Sequence, residues 1–153
     1  MVKNISKRDL FKFSVKIKEF EKLMGGQLVN EIGTEARNFF TASFRNQGFT
    51  DSSLTKWQEV KRRIPGTPEY KYPKNKDKGR RSRRILNKTG RLQGSLQYRR
   101  LSRLRVSVYT NVPYATYINN GTKNMPARRF LGRSQVFNRK AIGIIRTEMK
   151  RIF

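Results

Sequence analysis

Hydrophobic and polar residues alternate near the start of the chain. Phe11, Phe13, Val15 and Ile17 fall on one side, and Lys12, Ser14, Lys16 and Lys18 on the other. A period of two predicts a half-buried strand from Phe11 to Lys18. The period then lengthens. Phe20, Met24, Leu28, Ile32, Ala36 and Phe39 or Phe40 recur every three or four residues, which is the repeat of a helix that buries one face. A long helix is expected from about Glu19 to Arg45. Gly25-Gly26 weakens it, because glycine gives up the most backbone freedom on ordering, and is expected to kink or split it.

Asn46 to Leu54 reads as a polar turn region, with Gly48 and Asp51-Ser52-Ser53. Trp57 beside such a loop is expected to anchor the loop to the core; stacking on a nucleic-acid base is the alternative use of the ring. From Lys61 to Arg84 the pattern fails. RRIPGTPEYKYPKNKDKGRRSRR has three Pro, two Gly and almost no aliphatic residue, and such a segment buries too little surface to order itself. It is expected to be a flexible basic arm inserted within a single domain that spans residues 1–153.

Pattern returns at Ile85. Lys88-Thr89-Gly90 reads as a turn. Leu92, Leu96 and Tyr98 follow, and then Leu104, Val106 and Val108 alternate with Arg105, Ser107 and Tyr109. An antiparallel hairpin is expected, about Gly94 to Leu101 paired with Leu104 to Asn111. A short helical turn through Tyr114, Ala115, Tyr117 and Ile118 is expected to bury a ring against that hairpin. Gly121 suits a positive-φ position ending the turn, Pro126 fixes the re-entry, and Phe130-Leu131 plugs the core. The last helix is expected from about Gln135 to Ile152, capped by Ser134, with Phe137, Ala141, Ile144 or Ile145, Met149 and Ile152 as its apolar stripe. The order predicts an α+β fold: a small, mostly antiparallel sheet, made of the N-terminal strand and a hairpin, packed against a long helix and a C-terminal helix, with a long basic loop.

Charge changes the picture most. The chain has 153 residues, 36 of them Lys or Arg against 10 Asp or Glu, for a net charge of +26. That field favours a polyanion, most simply nucleic acid, over an ordinary metabolite. The densest run of cations is the arm, where Arg62, Arg63, Lys74, Lys76, Lys78, Arg80, Arg81, Arg83 and Arg84 are the candidate DNA contacts. Like charges packed so closely repel unless something neutralises them. There is no Cys and no His, which removes disulfides, thiolate nucleophiles, zinc fingers and imidazole chemistry. No cofactor is expected. No apolar run approaches the roughly 18 residues of a membrane span, and MVKNISKRDLF lacks the apolar centre of a signal peptide, so no membrane partner is expected and the cytoplasm is the expected site of synthesis and use.

The ordered stretches LNKTGRLQGSL, VSVYTNVPYATYINNGT and MPARRFLGRS resemble the virion morphogenesis, or tail-completion, proteins of tailed bacteriophages, the Mu G-like and P2 S-like group. In that family a TG-L–S element precedes a hairpin, the second strand ends in a TN-x-x-YA turn, a GT or GG follows, and PAR-x-FLG leads into the final helix. Thr89, Gly90, Leu92 and Ser95 match the first element; Thr110, Asn111, Tyr114 and Ala115 the second; Gly121 and Thr122 the third; Pro126, Ala127, Arg128, Phe130, Leu131 and Gly132 the last. Upstream, Phe44, Gly48 and Trp57 sit where such proteins often carry a Phe and a glycine-rich loop leading to Trp. Asn119 and Asn120 depart from the His or Gln common before the glycine. The resemblance covers about Phe20 to Phe153. It implies a small structural virion protein, not an enzyme, that works as a homo-oligomeric ring, six-fold or a multiple, at the head–tail junction. Its expected neighbours are the head connector, the tail terminator or tube proteins, and genomic DNA contacted without sequence preference. The loop from Asn119 to Arg129 is expected to be stiff, polar and exposed, a docking surface, and Tyr114, Tyr117, Asn120, Gly121, Thr122, Arg128 and Arg129 are the candidate assembly residues.

Two other readings compete. One is a basic RNA- or DNA-binding module unrelated to virions, although no RNP-type aromatic motif or GXXG loop occurs. The other is a metal-dependent nuclease built on Asp51 and the Glu69-Tyr70-Lys71 triplet. Such chemistry wants its acids on rigid neighbouring strands, and Glu69 lies between Pro68 and Pro73.

Overall fold

The computed structural model describes residues 7–72 and 82–153. Helix α1 (Lys7–Lys22) runs through one π-helical turn (Leu23–Gln27) into α2 (Leu28–Asn46). The break expected at Gly25-Gly26 is thus a local widening of the helix, with the chain continuing in helical geometry on both sides. Glycine interrupts the side-chain contacts that tighten an α-turn, and a π-turn accommodates the extra residue.

The alternating segment at residues 11–18 is helical, which corrects the expected strand. Both sheets among the described residues are two-stranded hairpins, so neither pairs with this segment. No Gly, Pro or Asn separates it from the helix that follows, and its three Lys residues are good helix formers. Its apolar positions are not a sealed face either: Val15 and Ile17 are 40% and 39% exposed.

Beyond α2, Gln47 takes a left-handed conformation and turns the chain into β1 (Gly48–Thr50), paired antiparallel with β2 (Leu54–Lys56). This small hairpin occupies the expected polar turn region. A single 3-10 turn (Lys61–Arg63) and α3 (Pro68–Lys71) follow. After the arm, one turn of helix, α4 (Arg91–Gly94), leads into the expected hairpin of β3 (Gln97–Ser102) and β4 (Arg105–Tyr109), with Gln97 opposite Tyr109 and a bulge between Arg100 and Ser102. Helix α5 (Ala115–Asn120) stands where the helical turn is expected, and α6 (Gln135–Ile152) closes the fold. The architecture is α+β, as the pattern predicts. No helix among the described residues is long and apolar enough to cross a membrane.

The core forms along one face of α2. Ala36, Phe40 and Phe44 meet Phe49, Trp57, Ile85, Leu92, Leu96, Val112, Ala115 and Phe130. Phe44, 1% exposed, packs its ring 5.2 Å from Phe130 and 5.7 Å from Trp57. Rings at these separations with tilted planes match the electrostatic preference of aromatic pairs. Trp57 Nε1 donates to the Arg129 carbonyl oxygen at 2.7 Å, so its expected role as an anchor is met: the ring fills the core and its one polar atom ties two distant segments.

Candidate nucleic-acid interface

The two ends of the arm are held together by its own arginines and one glutamine. Gln47 Oε1 accepts from the Ile85 N–H at 3.1 Å and from Arg63 Nη1 at 3.2 Å. Arg62 Nη2 donates to the carbonyl oxygens of Arg83 and Arg84 at 3.1 and 3.4 Å. Entry and exit of the arm are therefore adjacent, and Arg62 and Arg63 close its base. Residues 61–72 carry the two short helical turns. Lys74, Lys76, Lys78, Arg80 and Arg81 lie outside the described residues.

Beside the arm's base is a cleft of about 430 Å³. Arg62 and Arg83 line it from the arm, Lys88 and Arg91 from the Thr89-Gly90 bend and the start of α4, and Arg128 from the loop before α6. Val60, Leu86, Leu92, Tyr114 and Ile118 supply its apolar wall, and among the described residues no lining residue is acidic. Lys88 and Arg91 were not singled out by sequence reasoning. They flank Thr89-Gly90 in K-T-G-R, outside the dense run of cations in the arm.

Thr89, Gly90, Leu92, Tyr114 and Arg128 line the cleft, and other polar residues of the same stretches act as structural ties. Ser95 Oγ donates to the Leu92 carbonyl oxygen at 2.8 Å and lies 2.6 Å from Thr110 Oγ1, which accepts from the Val112 N–H at 3.2 Å. Asn119 Oδ1 accepts from the N–H groups of Phe130 and Leu131 at 2.9 and 3.0 Å. One amide side chain thus fixes both backbone groups that introduce the core plug.

The loop at residues 119–129 is only partly the exposed surface expected. Asn120, Thr122 and Arg129 are exposed, but Arg128 is 7% exposed. Arg128 Nη2 donates to the Gln58 carbonyl oxygen at 3.3 Å, and its Nε is buried without a partner. Burial pushes the Arg128 guanidinium below its ordinary value, and the carboxylate of Glu59 partly offsets this. Arg129 Cζ stands over Phe49, 4.4 Å from the ring centre. Tyr114 and Tyr117, of which one ring was expected to pack on the hairpin, are instead 42% and 62% exposed; Ala115 fills the core in their place. An alanine suits the narrow gap between α5 and the core, and the rings fall on the opposite face of that short helix.

The acids of the nuclease reading are also placed. Asp51 Oδ1 accepts from the Gln135 N–H and its backbone oxygen from the Val136 N–H, both at 2.9 Å. Asp51 thereby satisfies the first turn of α6. Glu69 sits in the first turn of α3. Among the described residues no group of three or more His, Cys, Asp or Glu could hold a metal ion. Comparison with protein-family models, curated proteins and solved structures finds no match to this chain.

Proposed function

We propose that the protein is a structural component of a tailed-phage virion at the head–tail junction. Copies of it form a ring that finishes the tail or joins it to the head, beside the connector and the tail terminator or tube proteins, and touch the genomic DNA without reading its sequence. The observation that carries the reading is the charge: 36 Lys and Arg against 10 acids in 153 residues, with five of the cations around one cleft. Contact through phosphates suits a channel, because a helix that must slide past cannot be held by its base edges. The order of the motif elements supports the virion context, and the exposed Asn120, Thr122, Tyr114 and Tyr117 supply polar and aromatic surface for a neighbouring copy.

The test is binding to labelled duplexes of unrelated sequence over a range of salt. Affinities should agree between sequences, and log affinity should fall linearly with log salt by about 0.9 per phosphate contacted. A marked preference for one sequence or for RNA, or magnesium-dependent nicking of plasmid, would contradict the reading.

A further inference from the structure

We propose that the β3–β4 hairpin is a DNA-contacting finger that lies along the minor groove, with Arg99 and Arg105 on the phosphates and Leu101 and Leu104 against the sugar edges. The inference rests on the DNA-contacting reading and names an element that carries it.

Alternation along the strands gives the hairpin two unlike faces. Tyr98 and Val106 pack on Gly33 of α2. Gln97, Arg99, Arg105, Ser107 and Tyr109 therefore fall on the face turned away from that helix. Arg99 Cζ stands 5.2 Å from the Tyr109 ring centre, and the Tyr109 hydroxyl donates to Gln97 Oε1 at 3.1 Å, so the outer face is ordered by its own side chains. From Arg99 to Arg105 the chain reads R-R-L-S-R-L-R, with no acid. Arg103 Nη2 donates to the Glu21 carbonyl oxygen at 3.3 Å, and Arg100 Nε to that of Ser102 at 3.0 Å. These two brace the tip, one of them against the end of α1. On the braced tip Leu101 and Leu104 are 49% and 67% exposed. Among the described residues none of the four arginines pairs with a carboxylate.

A braced finger gives up little freedom on binding. Guanidinium forks match phosphate oxygens, and leucine is among the apolar side chains that proteins press into the minor groove. That groove carries little sequence information, so contact through it suits DNA that must slide. A lipid surface is the poorer partner. The outer face is polar along its length, and two leucines offer a bilayer little apolar area.

The experiment uses the full chain, isotope-labelled for NMR, with an A·T-rich duplex titrated at constant ionic strength and affinities measured in parallel over a range of salt. The duplex should shift the amide signals of residues 99–105, and netropsin, which fills the minor groove, should reverse those shifts. Arg99→Gln/Arg105→Gln should weaken duplex binding about tenfold and lower the log–log salt slope by about 1.8, two phosphate contacts at about 0.9 each. Arg99→Lys/Arg105→Lys should keep that slope, which separates lost charge from a damaged hairpin. Leu101→Ser/Leu104→Ser should weaken binding about fivefold through lost apolar contact and leave the slope unchanged, because leucine displaces no counterion. The charge-matched pair Arg146→Gln/Lys150→Gln, on the exposed side of α6, should do less than the hairpin pair to both affinity and slope. Equal losses from the hairpin and α6 pairs, or unmoved hairpin signals while the duplex binds, overturn the finger and leave DNA contact by the protein intact. Hairpin shifts that persist on the netropsin-filled duplex overturn its place in the minor groove. A chain that binds no duplex at all overturns the DNA reading and the finger together. Phosphatidylglycerol vesicles that move the hairpin signals when the duplex does not overturn the assignment in favour of an anionic lipid surface.

Discussion

Trp57 shows how one side chain can tie a fold together and how far it can be read in advance. Its ring is 8% exposed and lies against Phe44, and its Nε1 holds the carbonyl of Arg129. Trp57→Phe retains most of the ring but leaves that carbonyl without its donor. A loss of about 1–3 kcal/mol is expected, the usual penalty for an unsatisfied buried polar group, measured by urea unfolding. Trp57→Ala should lose about 3–5 kcal/mol, because a cavity is added. Gly121 is the second such residue. It stands at φ 78°, and a Cβ there would lie 2.7 Å from the Ala127 nitrogen. Gly121→Ala should destabilise by about 1–3 kcal/mol, the range for a non-glycine residue forced into such backbone geometry. An interface test that replaces residues 120–122 together with bulky groups would therefore damage the fold. Asn120→Trp and Thr122→Trp, leaving Gly121 in place, are the cleaner probes. The need for glycine at 121 and the anchor at 57 were legible in the sequence, because each depends on a local signal. The burial of Arg128 was not, because an arginine in a polar loop carries no mark that a distant carbonyl will receive it.

Among the elements, α2 meets the β3–β4 hairpin at Gly33, where a Cβ would stand 2.9 Å from Val106 Cγ2 and closer still to the Tyr98 ring. Gly33→Ala should gain helix propensity and still destabilise by a net of about 1–3 kcal/mol, since the hairpin must move to admit the methyl group. This contact explains why a short hairpin suffices as a sheet: the helix covers it. The start of α6 is held from two sides. Ser134 Oγ accepts from the Phe137 N–H at 3.1 Å, and Asp51 takes the next donors from across the fold. Ser134→Ala should cost about 0.5–2 kcal/mol, and Asp51→Ala should loosen α6 and the β1–β2 turn together, seen as faster amide exchange at residues 135–137. The boundaries of α6 and its cap were legible because a serine, a preferred N-cap residue, precedes a clear apolar stripe. The N-terminal segment was misread because period two over eight residues also arises by chance in a helix, here one in which Val15 and Ile17 are both well exposed. The β1–β2 hairpin was missed because strands of three residues are too short to show a period.

At the scale of the whole molecule, charge dominates. A chain with +26 net charge strains its own folded state by repulsion, and added salt screens it. The melting temperature should rise by several degrees as sodium chloride increases from low to moderate concentration, followed by circular dichroism; a fall would mean that ion pairs such as Lys140–Glu35 outweigh the repulsion. The same repulsion keeps copies apart in dilute, low-salt solution, where a monomer or small oligomer is expected. A closed ring requires one surface of each copy to meet a different surface of the next, and DNA lowers the cost of bringing such charges together. The proposal of a polyanion partner comes from composition alone, whereas the cleft was not legible, since its five cations come from three segments that only folding unites. The most direct measurement is negative-stain imaging with mass determination, with and without duplex DNA. Closed rings of six copies or a multiple, appearing or sharpening with DNA, are the predicted result. A protein that stays monomeric on DNA, as separate particles at every concentration, would contradict the account.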